Sequence, residues 1–191
     1  MQEKNERRSN QSRSEEMRAR LVAAARELFA ENGYAETSTP DIVRAADVTR
    51  GALYHHFADK ADLFRAVAQA EAEAVTEAIE TADPGTDGQM AASSRAFFEA
   101  MKAPGRARIL LIDGTAVLGA AEMHAIDAGN GRASLQAGLA VLCPDKPEDD
   151  IRALAIILSA AYDKAALEIS EGAAEAPFIQ AFETLFNGLA S

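Results

Sequence analysis

The chain has 191 residues, 48% of them apolar, with one Cys, no Trp and a formal net charge of −11. That length suits one medium domain, or a small domain beside a larger one, with enough apolar material for a core. The lone Cys143 excludes an intramolecular disulfide framework, no charged-then-apolar leader is read at the start, and no apolar run nears the ~20 residues of a membrane span, so a soluble cytoplasmic protein is expected.

Ala is abundant and β-branched runs are rare, which points to an all-α fold. The acid is unevenly spread. Residues 1–66 hold 11 Lys+Arg and 11 Asp+Glu, so the whole excess of −11 falls on the remainder. Screening limits charge repulsion to roughly 8 Å in physiological salt, so an acidic second half does not forbid an anionic partner for the first.

Residues 1–13 are polar, with Lys4, Arg7, Arg8 and Arg13 and no apolar spacing. They read as a disordered basic arm, a solvated terminus in preference to a DNA-touching one. Ser12 and Glu15 fit a capping box. Met17, Leu21, Ala24, Ala25, Leu28 and Phe29 then give helical spacing, and Asn32-Gly33 is a stop.

Thr37 to Lys60 reads as two short helices joined by a tight turn. Thr39 precedes Pro40 and is expected to cap the first, with Pro40 at the first helical position. Ile42, Val43, Ala45 and Ala46 form its apolar face. Asp47-Val48 breaks it, and Thr49 caps a second helix over Arg50–His56. Leu53 and Phe57 stand four apart and point inward. Arg50, Gly51, Ala52, Tyr54, His55 and His56 are left mostly outward, a basic, aromatic and small face without an acid. Such a face can enter a DNA major groove. Arg50, Ala52 and His55 are assigned to bases, and Thr39, Tyr54, His56 and Lys60 to the phosphate backbone. Lys60 opens the next helix, where backbone donors favour a phosphate.

The run Gly33-Tyr34, Thr37, Asp41-Ile42, Ala46, Val48, Gly51, Leu53-Tyr54, His56-Phe57, Lys60 and Leu63 resembles the helix-turn-helix of the tetracycline-repressor-like (TetR) family of transcription regulators. It departs from the family pattern at Asp47, where Gly is usual, and at Val43, where a small residue is usual. Asp tolerates left-handed geometry, so the turn is expected to survive. The resemblance implies an N-terminal three-helix DNA-binding domain, placed at 14–60, and a C-terminal helical bundle for ligand sensing and dimerisation at 61–191. It implies a homodimer on a palindromic double-stranded DNA operator, released by a small-molecule effector.

From Asp59 a long helix is expected to about Thr81, then a loop over 83–88. Helices follow over 89–102, 107–112, 115–127 and 132–142, with Gly114 as a break. The last two helices cover 148–172 and 177–189. Met90, Phe97, Met101, Asp113, Met123 and Tyr162 are candidates to line a ligand cavity, since thioethers and rings adapt to varied shapes. For each apolar one ordinary core packing is the plainer alternative, and for Asp113, offered to orient a polar ligand group, a solvated cap is. The closing helices carry more apolar surface than one small bundle hides. Leu158, Phe178, Phe182 and Leu185 are therefore assigned to a two-fold dimer interface.

Two rival classes are weaker. An enzyme would need a site, but adjacent His55 and His56 point about 100° apart on a helix and rarely share a metal. No phosphate loop or nucleophile motif appears, so no metal, cofactor or catalytic residue is expected. A helical interaction protein without DNA binding, or a DNA binder without a ligand response, is the other alternative.

Overall fold

The computed structural model describes residues 2–85 and 88–190, with side chains from Ser12 onward. All its regular elements are helices. The chain divides into two compact units, 1–68 and 69–191. The division falls inside a helix, not after Lys60.

In the first unit, α1 spans Gln2–Glu36, α2 Thr39–Ala45, α3 Arg50–His56, and α4 begins at Lys60 and runs to Glu80. The backbone is helical from Gln2, which corrects the expected disordered arm over 1–13. No Gly or Pro interrupts residues 2–32, and Gln, Glu, Lys and Arg are good helix formers. The side chains of Lys4, Arg7 and Arg8 lie outside the described residues. The Ser12–Glu15 capping box does not form; the Ser12 hydroxyl donates to Glu16 within the helix instead.

Gly33 breaks α1 as expected, with φ 80° and ψ 170°, a region few side chains tolerate. The Thr37 hydroxyl then shares its proton between the carbonyls of Gly33 (2.8 Å) and Leu28 (3.1 Å), satisfying the broken end. Leu21, Phe29, Ile42, Leu53, Leu63, Phe64 and Val67 are fully buried and form the core of this unit. Phe64 meets Phe29 and Tyr34 edge-on, each with centroids 5.2 Å apart. The first turns of α4 thus belong to this core, which is why the division falls at Ala68.

In the second unit, α5 spans Gln89–Met101. A π-helical turn over Arg108–Asp113 leads directly into α6, Gly114–Leu118. Then come α7 Ala120–Ala128, α8 Gly131–Leu142, α9 Glu148–Ser170 and α10 Ala176–Leu189. The break expected at Gly114 lies at Gly119 (φ 85°, ψ 156°). Gly114 is buried inside the helical run for a packing reason. A Cβ there would stand 2.9 Å from the Ile109 carbonyl and from the Met123 thioether. Phe98, Leu139, Ile151, Leu158, Tyr162, Phe182 and Phe186 form the core of this unit, with Tyr162 and Phe182 stacked at 3.8 Å. Arg106 is held among these helices by Glu71 on α4 (2.8 Å) and by the Ala100 carbonyl (2.6 Å).

Candidate functional site

The helix-turn-helix rests on local chemistry. Ser38, one residue before the expected Thr39, caps α2: its Oγ accepts from the Asp41 N–H, and Asp41 in turn accepts the Ser38 hydroxyl proton. Thr39 and Pro40 are therefore the first helical residues. Between α2 and α3 Asp47 takes φ 51°, the left-handed turn position. The Arg20 guanidinium on α1 donates to the carbonyls of Ala46 (2.6 Å) and Asp47 (3.1 Å), pinning that turn. Thr49 caps α3 as expected, its Oγ1 accepting from the Ala52 N–H at 3.2 Å.

Leu53 and Phe57 seat α3 on the core with 0% and 2% exposure. The opposite face carries Thr49, Arg50, Gly51, Tyr54 and His55, all exposed, with Ala52 and His56 half-buried at its edges. The Arg50 guanidinium lies 5.5 Å above the Tyr54 ring. Hydrogen bonds from Thr39 and then Arg50 lower the Tyr54 pKa, so these three side chains form one patch across α2 and α3. Burial, then the neighbouring His55 and Arg18, lower the His56 pKa below its usual 6.5, so His56 is neutral at physiological pH. A neutral imidazole still donates one hydrogen bond to a phosphate oxygen. Gly51 has open space on its outer side: an added Cβ would meet only the Thr49 hydroxyl, at 3.9 Å.

Lys60 departs from its expected role. Its ammonium donates to the carbonyls of Tyr34 (2.8 Å) and Thr37 (2.9 Å) and sits 4.0 Å from the Tyr34 ring centroid. It ties the start of α4 to the end of α1 instead of presenting a charge to solvent. Arg20 and Lys60 thus both close carbonyl-rich turns. A free carbonyl at a helix end attracts a cation, and that signal marks both positions.

The second unit holds a cavity of about 940 Å³. Met90, Phe97 and Tyr162 lie on its wall. Met101, Asp113 and Met123 do not. Met123 covers Gly114, Asp113 pairs with Arg108 at 3.4 Å, and Met101 is buried at the end of α5. The wall also carries Glu80, Asp127, Ser159, Asp163 and Glu183, none of them among the lining residues expected from the sequence. The Ser94 hydroxyl gives its one proton to the Met90 carbonyl (2.8 Å), so the Tyr162 hydroxyl is the donor in their mutual bond. Burial raises the Tyr162 pKa, so the ring stays neutral.

The dimer assignment is corrected in part. Leu158 and Phe182 are 6% and 4% exposed and pack within the chain's own core, and Phe178 packs against that core. Leu185 is 50% exposed, and on α9 Ile156 and Ile157 are 50% and 65% exposed. Among the described residues no group of three or more His, Cys, Asp or Glu could hold a metal ion, and no helix is long and apolar enough to cross a membrane.

Residues 21–67 match the family model of bacterial regulatory proteins of the tetR family, and residues 88–189 match the tetracyclin repressor-like C-terminal domain. The first stretch is 44% identical over 57 residues to the HTH-type transcriptional regulator AcrR of Shigella flexneri, covering 30% of this chain and 26% of that protein. It is 42% identical over 60 residues to the regulator TtgR of Pseudomonas putida, covering 31% and 29%. The chain thus spans less than a third of either regulator. Solved structures match over nearly the whole length. A TetR-family regulator from Pectobacterium atrosepticum is 31% identical over 93% of this chain and 94% of its own, with a TM-score of 0.65. GusR of Salmonella enterica is 26% identical over 91% and 95%, with a TM-score of 0.70. The α3 face, the capped turn before it and the helical second unit are those of one lineage, and the chain belongs to the TetR family of transcription regulators.

Proposed function

We propose that this protein is a homodimeric, cytoplasmic repressor that leaves a palindromic DNA operator when a small molecule enters the cavity of its second unit. One observation carries the DNA reading: a helix capped by Thr49 and seated by Leu53 and Phe57 offers Arg50, Gly51, Tyr54 and His55 on one exposed, acid-free face. Arg50 and His55 reach base edges, Gly51 and Ala52 permit close approach, and Thr39, Thr49, Tyr54 and His56 hold the sugar-phosphate backbone. Two such helices about 34 Å apart match successive major grooves. The exposed Ile156, Ile157 and Leu185 on α9 and α10 supply the dimer contact, with Leu158, Phe178 and Phe182 supporting it from beneath. The cavity is of a size that buries drug-like molecules. The helix that carries Lys60 in the first unit carries Ile79 and Glu80 on the cavity wall in the second. A ligand that displaces the second half of α4 therefore acts on the first, and a coupling of about 1–3 kcal/mol is enough for a useful response.

The test is a mobility shift on DNA taken from upstream of the protein's own gene, run across a salt series and repeated with a ligand library. Salt-sensitive retardation that survives excess competitor DNA, and that a library member abolishes, supports the reading. Equal binding to any duplex would contradict sequence-specific recognition.

A further inference from the structure

The charges around the cavity are one-sided. Its charged wall residues are Glu80, Asp127, Asp163 and Glu183, and no Lys or Arg lies on the wall among the described residues. Three of the four acids have company. Asp127 on α7 accepts from the Ser159 hydroxyl (3.2 Å) and faces Arg132 on α8 at 3.5 Å, with His124 also in electrostatic reach. Glu183 on α10 faces Arg95 on α5 at 3.5 Å. Glu80 on α4 accepts from the Ser134 hydroxyl at 3.4 Å. Asp163 on α9 has no hydrogen bond or ion pair among the described residues, and the charge in its reach is the like charge of Asp127. Burial first, and Asp127 second, push its carboxyl up to about 7. An unpaired carboxylate in an apolar hollow is costly and is not needed for the fold, because Phe98, Leu158, Phe182 and Phe186 already supply a core.

The rest of the wall suits an apolar body. Phe97, Tyr162 and Phe186 offer ring faces, and Met90, Leu135 and Leu142 offer adaptable aliphatic surface. An anion would meet four acids. A neutral molecule would leave Asp163 uncompensated. A cation would supply the missing partner while its hydrocarbon part fills the hollow, with the ring faces adding attraction.

We propose that the effector is an apolar organic cation, an amine or an onium ion with an aromatic or alkyl body, whose positive end is set against Asp163. This assignment rests on the sensor reading above and deepens it.

The test uses the full-length protein and three probes of similar shape: tetraphenylphosphonium, tetraphenylborate and the uncharged triphenylphosphine oxide. Affinities are measured by titration calorimetry at pH 6, 7 and 8. The phosphonium is expected to bind at least tenfold tighter than either of the others. Its affinity is expected to fall several-fold from pH 8 to pH 6, since below about 7 binding must displace a proton from Asp163. Asp163→Asn, and independently Asp163→Ser, should cost at least tenfold in phosphonium affinity and flatten the pH profile. Asp127→Asn, which removes an acid that already has Arg132, should cost less. Borate or the oxide binding as tightly as the phosphonium, binding of none of the three, or an unchanged affinity in both Asp163 variants overturns the assignment. Charge- and Asp163-dependent binding supports a cation site at Asp163, and if the phosphonium then leaves operator affinity in the mobility shift unchanged, that site stands while the sensor reading is overturned.

Discussion

Asp163→Asn should stabilise the empty protein, and by more at high pH than at low. In the folded chain the carboxyl titrates at about 7 against 3.8 when unfolded, because burial and then Asp127 disfavour the charge. A folded pKa above the unfolded one in an acid means that the folded state holds its proton longer. Stability therefore falls as pH rises from about 4 to about 7 and levels off beyond. The gap between 3.8 and about 7, at 1.36 kcal/mol per pH unit, gives at most about 4 kcal/mol. Asp163 is half-buried and water reaches part of it, so roughly 2 kcal/mol is the working figure. Asn keeps the shape and cannot ionise. Urea denaturation of both proteins at pH 5, 6, 7 and 8 measures the difference directly. It should widen by roughly 1 kcal/mol between pH 5 and pH 8, the rest of the loss lying below pH 5. A difference that stays constant across this range would refute the reasoning, since it would mean Asp163 is as well solvated as in the unfolded chain.

Three further outcomes follow from the geometry. Gly51→Ala meets no protein atom closer than 3.9 Å, so thermal stability should hold or rise by up to about 1 kcal/mol, while operator affinity in an anisotropy titration should fall if DNA approaches that surface closely. Lys60→Ala removes two charge-assisted bonds between α4 and the end of α1; it should lower the unfolding free energy by about 1–3 kcal/mol and leave the salt slope of DNA binding unchanged, whereas a phosphate contact would reduce that slope by about one. Leu185→Arg at a half-exposed position should yield a folded monomer in sedimentation, whereas Phe182→Arg, at 4% exposure, should unfold the second unit; a folded dimer with Leu185→Arg would place the interface elsewhere.

The parts of the fold that sequence reading reached were those set by neighbours along the chain. The Thr49 cap, the left-handed Asp47, the Gly33 break and the bounds of α5, α9 and α10 depend on a few adjacent residues. Capping and backbone sterics act over one turn, so they can be read there. The α3 face was legible for the same reason, since Leu53 and Phe57 fix which way the helix turns. Contacts between distant segments were not. Periodicity marked α9 and α10 as apolar on two faces but could not say that Leu158 and Phe182 meet their own core while Ile157 and Leu185 face outward. Lys60 carries the same charge whether it meets a phosphate or the carbonyls of Tyr34 and Thr37; the partners lie more than twenty residues away. Asp127 and Asp163 were not among the expected lining residues, because an acid is rarely buried. Gly114 looked like a helix break because its packing reason, Met123, sits in the next helix.

The central claim is that the outward face of α3 reads DNA sequence. The most direct measurement is operator affinity for the wild type and Arg50→Ala across a set of operators, each changed at one base pair. The account predicts that Arg50→Ala loses about 1–3 kcal/mol on the native site and becomes indifferent to one base pair in each half-site, with its other preferences kept. Uniform weakening on every sequence, or no loss at all, would contradict it.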